Sequence, residues 1–529
     1  MKLLPLIFTL ISNGVLNVLL AQPNYFQTTY GGANYDLAYS VSAISGGFVI
    51  CGETRSLGDS LGDVFLTKID STGSLIWTKT YGGNYSDYGV KVRDTRDTGF
   101  IIAANTVSFG IGAGLQNAWL IKTDRNGIVQ WNKTFGNGGP GPDVINDVRQ
   151  TSDGGFIAVG STDLSSGGLE IFLIKVDPYG NFLWSKAINN AYTGNAVLET
   201  SGGDLIIVGN SYPPSDIVIL KTDQNGNILW GNDYGSFTED KGSSAEIAFD
   251  GGLIVTGTTN FDGNAILLKT DSTGNVSWAK QYGSAPWYSE KVTSLKQIAD
   301  SGFIFLGYDY CCIKNFYMQK TDALGNALWS KYFGGINSES AFDLVYSNDE
   351  LTAVGNTESF GVGLSDVFLV NTDTAGKGLQ CNFAPFPPVT NPFTITTVNF
   401  SGSEIQLFPA ITAPVIAGVP QTFVEFIYCP DGLNEIPGSE DRPGLFPDPS
   451  DGNFFVRIPN GFSGNPSIII YDPLGRIVFS SVTEIIGGND QIKVSAPQLT
   501  DGIYFVRLMD SHGVDMSTWK LIINLEQDH

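Results

Sequence analysis

Histidine is almost missing from this chain. The 529 residues contain two histidines, His512 and His529, and both stand near the C-terminal end. The rest of the chain therefore has no histidine general base, no Ser-His-Asp triad and no histidine metal ligand. Any catalysis there would have to rely on carboxylates or other side chains.

Positive charge is scarce as well. The chain has 29 Lys and Arg residues against 53 Asp and Glu residues, which gives a formal net charge of −24. Binding to nucleic acid or to an anionic membrane surface requires a basic surface patch. The composition therefore argues against both partners, and it fits a soluble, self-repelling extracellular protein.

Long apolar runs are confined to the N-terminus. Lys2 precedes an apolar run, and Ala21 offers a small residue for cleavage before Gln22, so residues 1–21 are predicted to be a signal peptide. Asn13 and Asn17 interrupt the run, which favours removal over membrane anchoring. No other segment reaches the roughly 18 apolar residues that a membrane-spanning helix needs, so we expect no transmembrane segment in the mature chain.

Cysteine is infrequent, with five residues in the whole chain. Cys381 and Cys429 flank one irregular segment and are predicted to form a disulfide, because an exported protein can hold such bonds. Cys311 and Cys312 form either a strained vicinal bridge or two reduced thiols. Cys51 lies in a predicted strand and is expected to be a small buried side chain.

Glycine, by contrast, is abundant, and it belongs to a repeated hairpin. Each copy has an apolar strand, the turn Asp-x-x-Gly, and a second apolar strand. The Asp side chain can accept backbone N–H groups of the turn, and Gly supplies the positive φ that returns the chain, so these acids are predicted to be structural. The seven turn acids are Asp70, Asp124, Asp177, Asp223, Asp271, Asp322 and Asp373.

The period of this hairpin indicates the fold. In six copies the second strand carries a Trp, and the repeat of about 50 residues is the length of a four-stranded propeller blade. A further turn in several copies, such as Asp153–Phe156, would join the first two strands. We therefore predict a seven-bladed β-propeller over residues 22–383, with the Trp side chains in its core.

The seventh copy lacks its last strand, and the N-terminus supplies a substitute. Tyr25–Gly32 aligns with Ile76–Gly83, with Phe26 in the place of Trp77. The N-terminal strand is therefore predicted to complete blade seven and close the ring, which removes an open sheet edge.

Residues 384–444 break the pattern. The runs Phe393–Phe400 and Thr422–Tyr428 could each add a strand, and Pro430–Gly444 has the composition of a solvated tether. We predict a small β extension, held by the Cys381–Cys429 bridge, and then a flexible linker.

Two resemblances add to this interpretation. Tyr81–Gly83 with Asp87, Gly155–Gly160 and Asp63–Asp70 resemble the repeats of bacterial β-propellers, a family with no single activity. The hairpin is also similar to the Asp-box of sialidase propellers. That box is itself structural, so the resemblance implies no glycosidase.

Residues 445–529 resemble the C-terminal sorting domain of the type IX secretion system. The matching motifs are Leu445–Phe454, Ile470–Val478, Leu499–Arg507 and Trp519–Asn524. The resemblance implies an Ig-like β-sandwich that the secretion machinery recognises. It also implies secretion or display on the outer membrane, with removal of the domain and attachment to surface lipopolysaccharide. The acidic tail Leu525–His529 departs from the family, which often ends in basic residues.

The D–A loops, which join strand D of one blade to strand A of the next, share one face of the propeller with the loops between strands B and C. The binding site is expected on this face, because loops that vary on a rigid scaffold usually carry function. Carboxylates beside aromatic rings suit a carbohydrate or a cation such as Ca²⁺, and no other cofactor is expected. The alternative is that the acids cap turns and the aromatics pack between blades. The candidates are Asp36, Asp87, Asp143, Asp240, Glu290 and Asp343, with Tyr35, Tyr85, Tyr88, Trp287 and Tyr288.

Together these patterns predict an exported binding or adhesion propeller whose partners are the secretion machinery and a surface glycan. The alternative is a glycoside-active hydrolase with two carboxylates about 5–10 Å apart near the central channel.

Overall fold

A computed structural model describes most of the first 378 residues and, after them, mainly the strands. The described residues are 25–378 except 113, 165–167, 213–214, 237–238, 260–262, 284–288, 311–313 and 336, and then 382–386, 390–392, 396–399, 404–407, 410–412, 419–421, 424–427, 444–446, 453–457, 467–471, 477–482, 491–496, 499, 502–509 and 515–523. The chain divides into two compact units, one up to Gly432 and one from Leu433 onward. The predicted signal peptide lies outside the described residues.

The first unit is a seven-bladed β-propeller, which confirms the predicted fold class. Strand A of blades one to seven spans Asp36–Ile44, Asp87–Asp94, Asp143–Gln150, Ala191–Glu199, Asp240–Ile247, Ser289–Gln297 and Glu339–Ser347. Strand B spans Gly47–Thr54, Phe100–Thr106, Phe156–Asp163, Leu205–Ser211, Leu253–Thr259, Phe303–Tyr310 and Glu350–Thr357. Strand C spans Asp63–Asp70, Asn117–Thr123, Leu169–Val176, Ile217–Thr222, Asn264–Thr270, Lys314–Thr321 and Asp366–Asp373. Strand D of blades one to six spans Leu75–Tyr81, Val129–Gly136, Phe182–Ile188, Ile228–Gly235, Val276–Tyr282 and Ala327–Phe333.

The N-terminal strand Gln27–Gly31 is strand D of blade seven. It runs antiparallel to strand C of that blade, with Gln27 opposite Val370 and Tyr30 opposite Val367. The two ends of the propeller sequence therefore meet in one sheet, as the alignment of Tyr25–Gly32 with Ile76–Gly83 predicts.

Neighbouring blades are held together at the turn glycines. A methyl group added to Gly127 would lie 2.9 Å from the ring of Trp77 in the preceding blade. The hydroxyl of Tyr81 donates a hydrogen bond of 2.7 Å to the carbonyl oxygen of that same glycine. Phe26 takes the Trp place against Gly73, so the junction between blades seven and one repeats the contact. The six Trp side chains thus belong to the packing between blades.

The segment predicted as a small β extension has a strand in each of the two predicted runs, Thr396–Asn399 and Val424–Ile427, and five further strands that the sequence did not indicate. It supplies seven short strands, and each adds a fifth, outermost strand to a different blade. We call these strands the belt. In chain order they lie on blades six, five, four, three, two, one and seven, and they span Asn382–Phe386, Thr390–Pro392, Thr396–Asn399, Glu404–Leu407, Ala410–Thr412, Val419–Gln421 and Val424–Ile427. Cys381 and Cys429 lie outside the described residues, so their bridge stays a prediction.

The second unit is a two-sheet β structure. One sheet contains Gly444–Phe446, Asn453–Arg457 and Gln491–Ser495. The other orders its strands as Ile477–Val482, Ser467–Tyr471, Gly502–Met509 and Asp515–Ile523. Val456, Ile468, Ile470 and Val506 are fully buried, as the inward positions of a sandwich should be. Within the described part of the chain, no helix has the length and apolar character to cross a membrane.

Candidate functional site in the central channel

The first strands of all seven blades line a cavity in the central channel, with a volume of about 460 Å³. Each strand A has a β-bulge midway along it, where the pairing with strand B skips one residue. A bulge leaves one residue unpaired and bends the strand, which turns successive side chains toward the channel. The residues at these midway bulges are Tyr39, Val90, Asn146, Asn195, Ser243, Thr293 and Phe342, and strand A of blade four has a second irregularity near its start, at Tyr192.

Two ion pairs on one side of the channel connect strands from different blades. The Lys91 ammonium lies 2.8 Å from an Asp343 carboxylate oxygen, which links blade two to blade seven. The Arg93 guanidinium lies 2.8 Å from Asp147 in blade three. A third pair, Lys296 with Glu246, links blades six and five. These ion pairs stabilise the channel wall by linking strands of different blades.

Asp343 is enclosed by donors. Its oxygens also accept hydrogen bonds from the hydroxyls of Ser40 at 2.6 Å and Ser294 at 3.0 Å. Burial opposes its charge, yet Lys91 and the hydroxyl donors hold the pKa of Asp343 at about 2. Asp147 is likewise buried, and Arg93 and Arg149 keep its pKa below the usual range. Both channel acids are therefore carboxylates at neutral pH.

Of the three channel cations Lys91, Arg93 and Arg149, Arg149 has the longest distance to its carboxylate partner. Its Nε lies 3.9 Å from Asp147, beyond hydrogen-bond distance, and has no hydrogen-bond partner among the described residues. Burial, together with the neighbouring charge of Arg93, lowers the pKa of Arg149 to about 10. The Arg149 guanidinium therefore lines the cavity, and its positive charge is only weakly balanced by the carboxylates of the protein.

Aromatic rings cover another part of the wall. Tyr39 packs edge-on against Phe342, with ring centroids 5.2 Å apart, and both side chains line the cavity. Tyr88 extends this arc on one side, 6.4 Å from Tyr39, and Tyr308 on the other, 6.1 Å from Phe342. The channel thus offers flat apolar faces next to fixed charges.

The acids predicted for the D–A loops are mostly turned inward. Asp36 accepts hydrogen bonds from the backbone N–H of Gly32 at 2.7 Å and from the hydroxyl of Thr54 at 2.5 Å. The same bond to the loop backbone recurs at Asp87, Asp143 and Asp240, with distances of 2.8, 2.8 and 2.5 Å. All four side chains are buried, as is that of Glu290. They hold the loops in place, which is the alternative that the sequence left open, and they do not form an open ring of carboxylates.

Asp343 is placed differently from the sequence expectation. The sequence predicts that Asp343 precedes strand A, but strand A of blade seven begins four residues earlier, at Glu339. Glu339 occupies the loop position and accepts a hydrogen bond of 2.9 Å from the Thr357 hydroxyl. Asp343 follows the bulge instead and faces the channel.

The predicted aromatics fall into three groups. Tyr35 and Tyr85 are exposed on the D–A loops, where a ligand could reach them. Tyr88 packs edge-on against Tyr39, which lines the channel cavity. Trp287 and Tyr288 lie outside the described residues, as do Cys311 and Cys312. Cys51 is a free, buried thiol whose pKa is raised by burial.

The seven acids of the Asp-x-x-Gly turns adopt one geometry. In the first, Asp70 accepts the backbone N–H groups of Thr72 at 2.8 Å and Ser74 at 3.0 Å, and Gly73 has a φ of +86°. The other six bond in the same pattern: Asp124, Asp177, Asp223, Asp271, Asp322 and Asp373. These acids are structural. Within the described ranges, no group of three or more His, Cys, Asp or Glu side chains could hold a metal ion.

Sequence reasoning missed the channel cations Lys91, Arg93 and Arg149. Lys91 and Arg93 flank the buried Val92, and Arg149 follows the buried Val148, so cations alternate with buried apolar residues. That alternation is a signal that the sequence does carry. It could not show that strands more than 50 residues apart in the chain converge on one axis.

Fold and site together define an all-β protein: a seven-bladed propeller with a polar central channel, followed by a β-sandwich. Residues 444–524 match the family described as the secretion system C-terminal sorting domain. This part of the chain is a type IX secretion system sorting domain, and the protein is secreted or lies on the outer-membrane surface.

Several solved structures show partial likeness. A puromycin hydrolase aligns over 68% of this chain and 55% of its own, at 14% identity and a TM-score of 0.41. The chain thus spans about half of that hydrolase. Sqt1 from Chaetomium thermophilum aligns over 67% and 99%, at 9% identity and a TM-score of 0.39. PorZ, a bacterial surface component of the type-IX secretion system of Porphyromonas gingivalis, aligns over 93% and 70%, at 10% identity and a TM-score of 0.32. No curated protein matches the chain.

Proposed function

We propose that this protein is a binding or adhesion module, exported by the type IX secretion system, that holds a saccharide in its central channel. The observation that carries the proposal is the cavity lined by strand A of every blade, with Tyr39 and Phe342 on its wall. Aromatic faces next to hydrogen-bonding side chains suit the alternating apolar and hydroxyl surfaces of a sugar ring.

The sorting domain supports the cellular setting of this proposal. A protein at the outer surface meets polysaccharides of its own cell, of neighbouring cells and of the environment. The rigid seven-bladed scaffold holds the channel side chains in fixed positions, and this keeps the entropy cost of binding low.

Acid–base catalysis has less support. A glycoside hydrolase needs a carboxylic acid that donates a proton beside a second carboxylate. The two acids that line the cavity, Asp147 and Asp343, are both ion-paired, and their pKa values lie below the usual range. Neither can donate a proton near neutral pH, which favours binding over hydrolysis.

A glycan-array screen of the mature full-length protein tests the proposal. Phe342→Ala removes an aromatic face from the channel and should weaken binding of the glycans that the screen finds by about tenfold or more. Tyr85→Ala, an exposed loop ring outside the cavity, is the matched control and should leave binding unchanged. Thermal unfolding of both variants checks that they are folded.

If Tyr85→Ala weakens binding and Phe342→Ala does not, the site lies on the D–A loops, where the sequence predicts it. A parallel screen with a chelator tests the Ca²⁺ option, because a calcium-dependent site would lose its ligand there.

A further inference from the structure

The channel has a charge that is opposite to that of the protein. The chain as a whole has a net charge of −24. Yet six cationic side chains line the cavity against two carboxylates, Asp147 and Asp343. The six cations are Lys91, Arg93, Arg149, Lys241, Lys291 and Lys296.

Half of these cations are neutralised inside the protein. Lys91 and Arg93 have one carboxylate each at 2.8 Å, and Lys296 is paired with Glu246. Such pairs leave little charge for a ligand, because each cation already has its counter-ion.

The other three cations, Arg149, Lys241 and Lys291, are neutralised only weakly. The Nε of Arg149 has no hydrogen-bond partner within the described structure, and the nearest carboxylate, Asp147, is already bonded to Arg93. Lys241 has one partner, Glu239, at 3.4 Å, and both of these side chains are more than half exposed, so the pair contributes little. Lys291 is exposed, and its ammonium lies 5.9 Å from the centre of the Tyr308 ring.

The positions of these three cations form a path. Lys241 and Lys291 stand two residues before the bulges of blades five and six, toward the D–A loops where strand A begins. Arg149 stands three residues after the bulge of blade three, deeper along the channel. A negatively charged group that enters from the D–A side would meet the lysines first and the arginine after them.

We infer that the central channel recognises an anionic group on a saccharide, a carboxylate or a sulfate, and that Arg149 binds it while Lys241 and Lys291 attract it. The inference rests on the proposed function, since it names the class of ligand that the channel takes. A planar guanidinium forms charge-assisted hydrogen bonds with either group. A positive channel in a negative protein also concentrates an anionic ligand at its mouth.

The experiment compares two forms of one sugar. The mature full-length protein is titrated by calorimetry with tetragalacturonate and with its fully methyl-esterified form, which keeps the rings and removes the charge. We expect the acid to bind at least about tenfold more tightly, and salt to reduce that difference. A chondroitin sulfate oligosaccharide in a third titration separates sulfate from carboxylate recognition.

Variants then locate the contact. Arg149→Gln should bring the affinity for the acid down to that for the ester, and Arg149→Lys should restore part of it. Arg125→Gln removes the same charge from an exposed C–D turn and is the matched control. Lys241→Gln with Lys291→Gln should slow association with the acid and leave association with the ester unchanged.

The outcomes separate the two proposals. Equal binding of acid and ester overturns the anion inference and leaves a neutral saccharide site in the channel. Full affinity for the acid in Arg149→Gln overturns the role of that residue. If neither form of the sugar binds and no glycan on the array binds, the proposed function itself is wrong.

Discussion

At the scale of single residues, the carboxylates of this protein differ by position. In the Asp-x-x-Gly turns they are at most partly buried, and turn donors lower the pKa of acids such as Asp177. In the D–A loops they are buried, and burial raises the pKa of Asp36 and Asp87 despite their hydrogen bonds. In the channel, ion pairing keeps Asp343 charged.

Some junctions between blades bring two buried acids together. Asp63 begins strand C of blade one and packs against Gly82 together with Asp87 of blade two. Its Oδ1 has no hydrogen-bond partner in the described structure. Burial and the nearby charge of Asp87 raise the pKa of Asp63 to about 6. At the next junction an asparagine, Asn117, takes this place, so the fold tolerates an amide there.

Asp63→Asn should therefore stabilise the protein at neutral pH. The folded-state pKa of about 6 lies above the unfolded value of about 4, so the folded form loses stability as the pH rises between these values. The free energy of unfolding should rise by on the order of 1–2 kcal/mol near pH 7.5 and stay unchanged near pH 4. Thermal unfolding at the two pH values measures this.

The control variant for this prediction should change the stability of the protein in the opposite direction. Asp177 accepts two backbone N–H groups in its turn, and turn hydrogen bonds lower its pKa, so Asp177→Asn should reduce the melting temperature near neutral pH. A lower melting temperature for Asp63→Asn as well would show that Asp63 has a bonding role that the structure does not explain.

At the scale of elements, the belt is the largest difference between the fold predicted from the sequence and the structure. Every strand D would otherwise be the outer edge of its blade, with backbone N–H and C=O groups free to pair with another molecule. The belt strands are three to five residues long, and each pairs antiparallel with one of these edges, as Val424–Ile427 does with Thr28–Gly31. The belt thus covers all seven edges.

Removal of the belt should make the propeller prone to association. A chain that ends after Gly378 exposes seven strand edges, whereas one that ends after Gly432 keeps the belt and serves as the control. We expect the shorter chain to lose melting temperature and to form oligomers or aggregates. Light scattering at equal concentration measures the difference. Two equally monomeric and equally stable chains would mean that the belt has no protective role.

At the scale of the whole molecule, the sorting domain and the propeller belong to separate units. The sorting domain matches its family over residues 444–524, and the propeller unit ends at Gly432. The propeller packs its core from its own blades and from the N-terminal strand. Its folding should therefore not depend on the sorting domain.

Deletion of residues 445–529 should leave a folded propeller inside the periplasm of the host. Immunoblots of periplasmic and surface fractions follow its location, and resistance to protease reports its folding. The full-length chain in the same host is the control. Arrival of the shortened protein at the surface would contradict a sorting role for this domain.

Much of this architecture follows from local patterns. The turn acids, the glycines with positive φ and the period of the Trp residues predicted a seven-bladed propeller, and the structure confirms that fold. Four ordered motifs predicted the sorting domain, which the family match confirms. These features are readable because each depends on neighbours in sequence: a turn is set by four residues and a blade by its four adjacent strands.

The belt and the channel depend instead on distant partners. A belt strand of three residues has no signature of its own, since its stability comes from a blade edge that is far away in the chain. The channel charges are similar: Lys91 finds its carboxylate 252 positions away, at Asp343. The sequence alone determined the fold, the ring closure and the route of export. Only the tertiary structure decided which carboxylates support loops and which cations face the cavity, because ring closure brings seven separate strands to one axis.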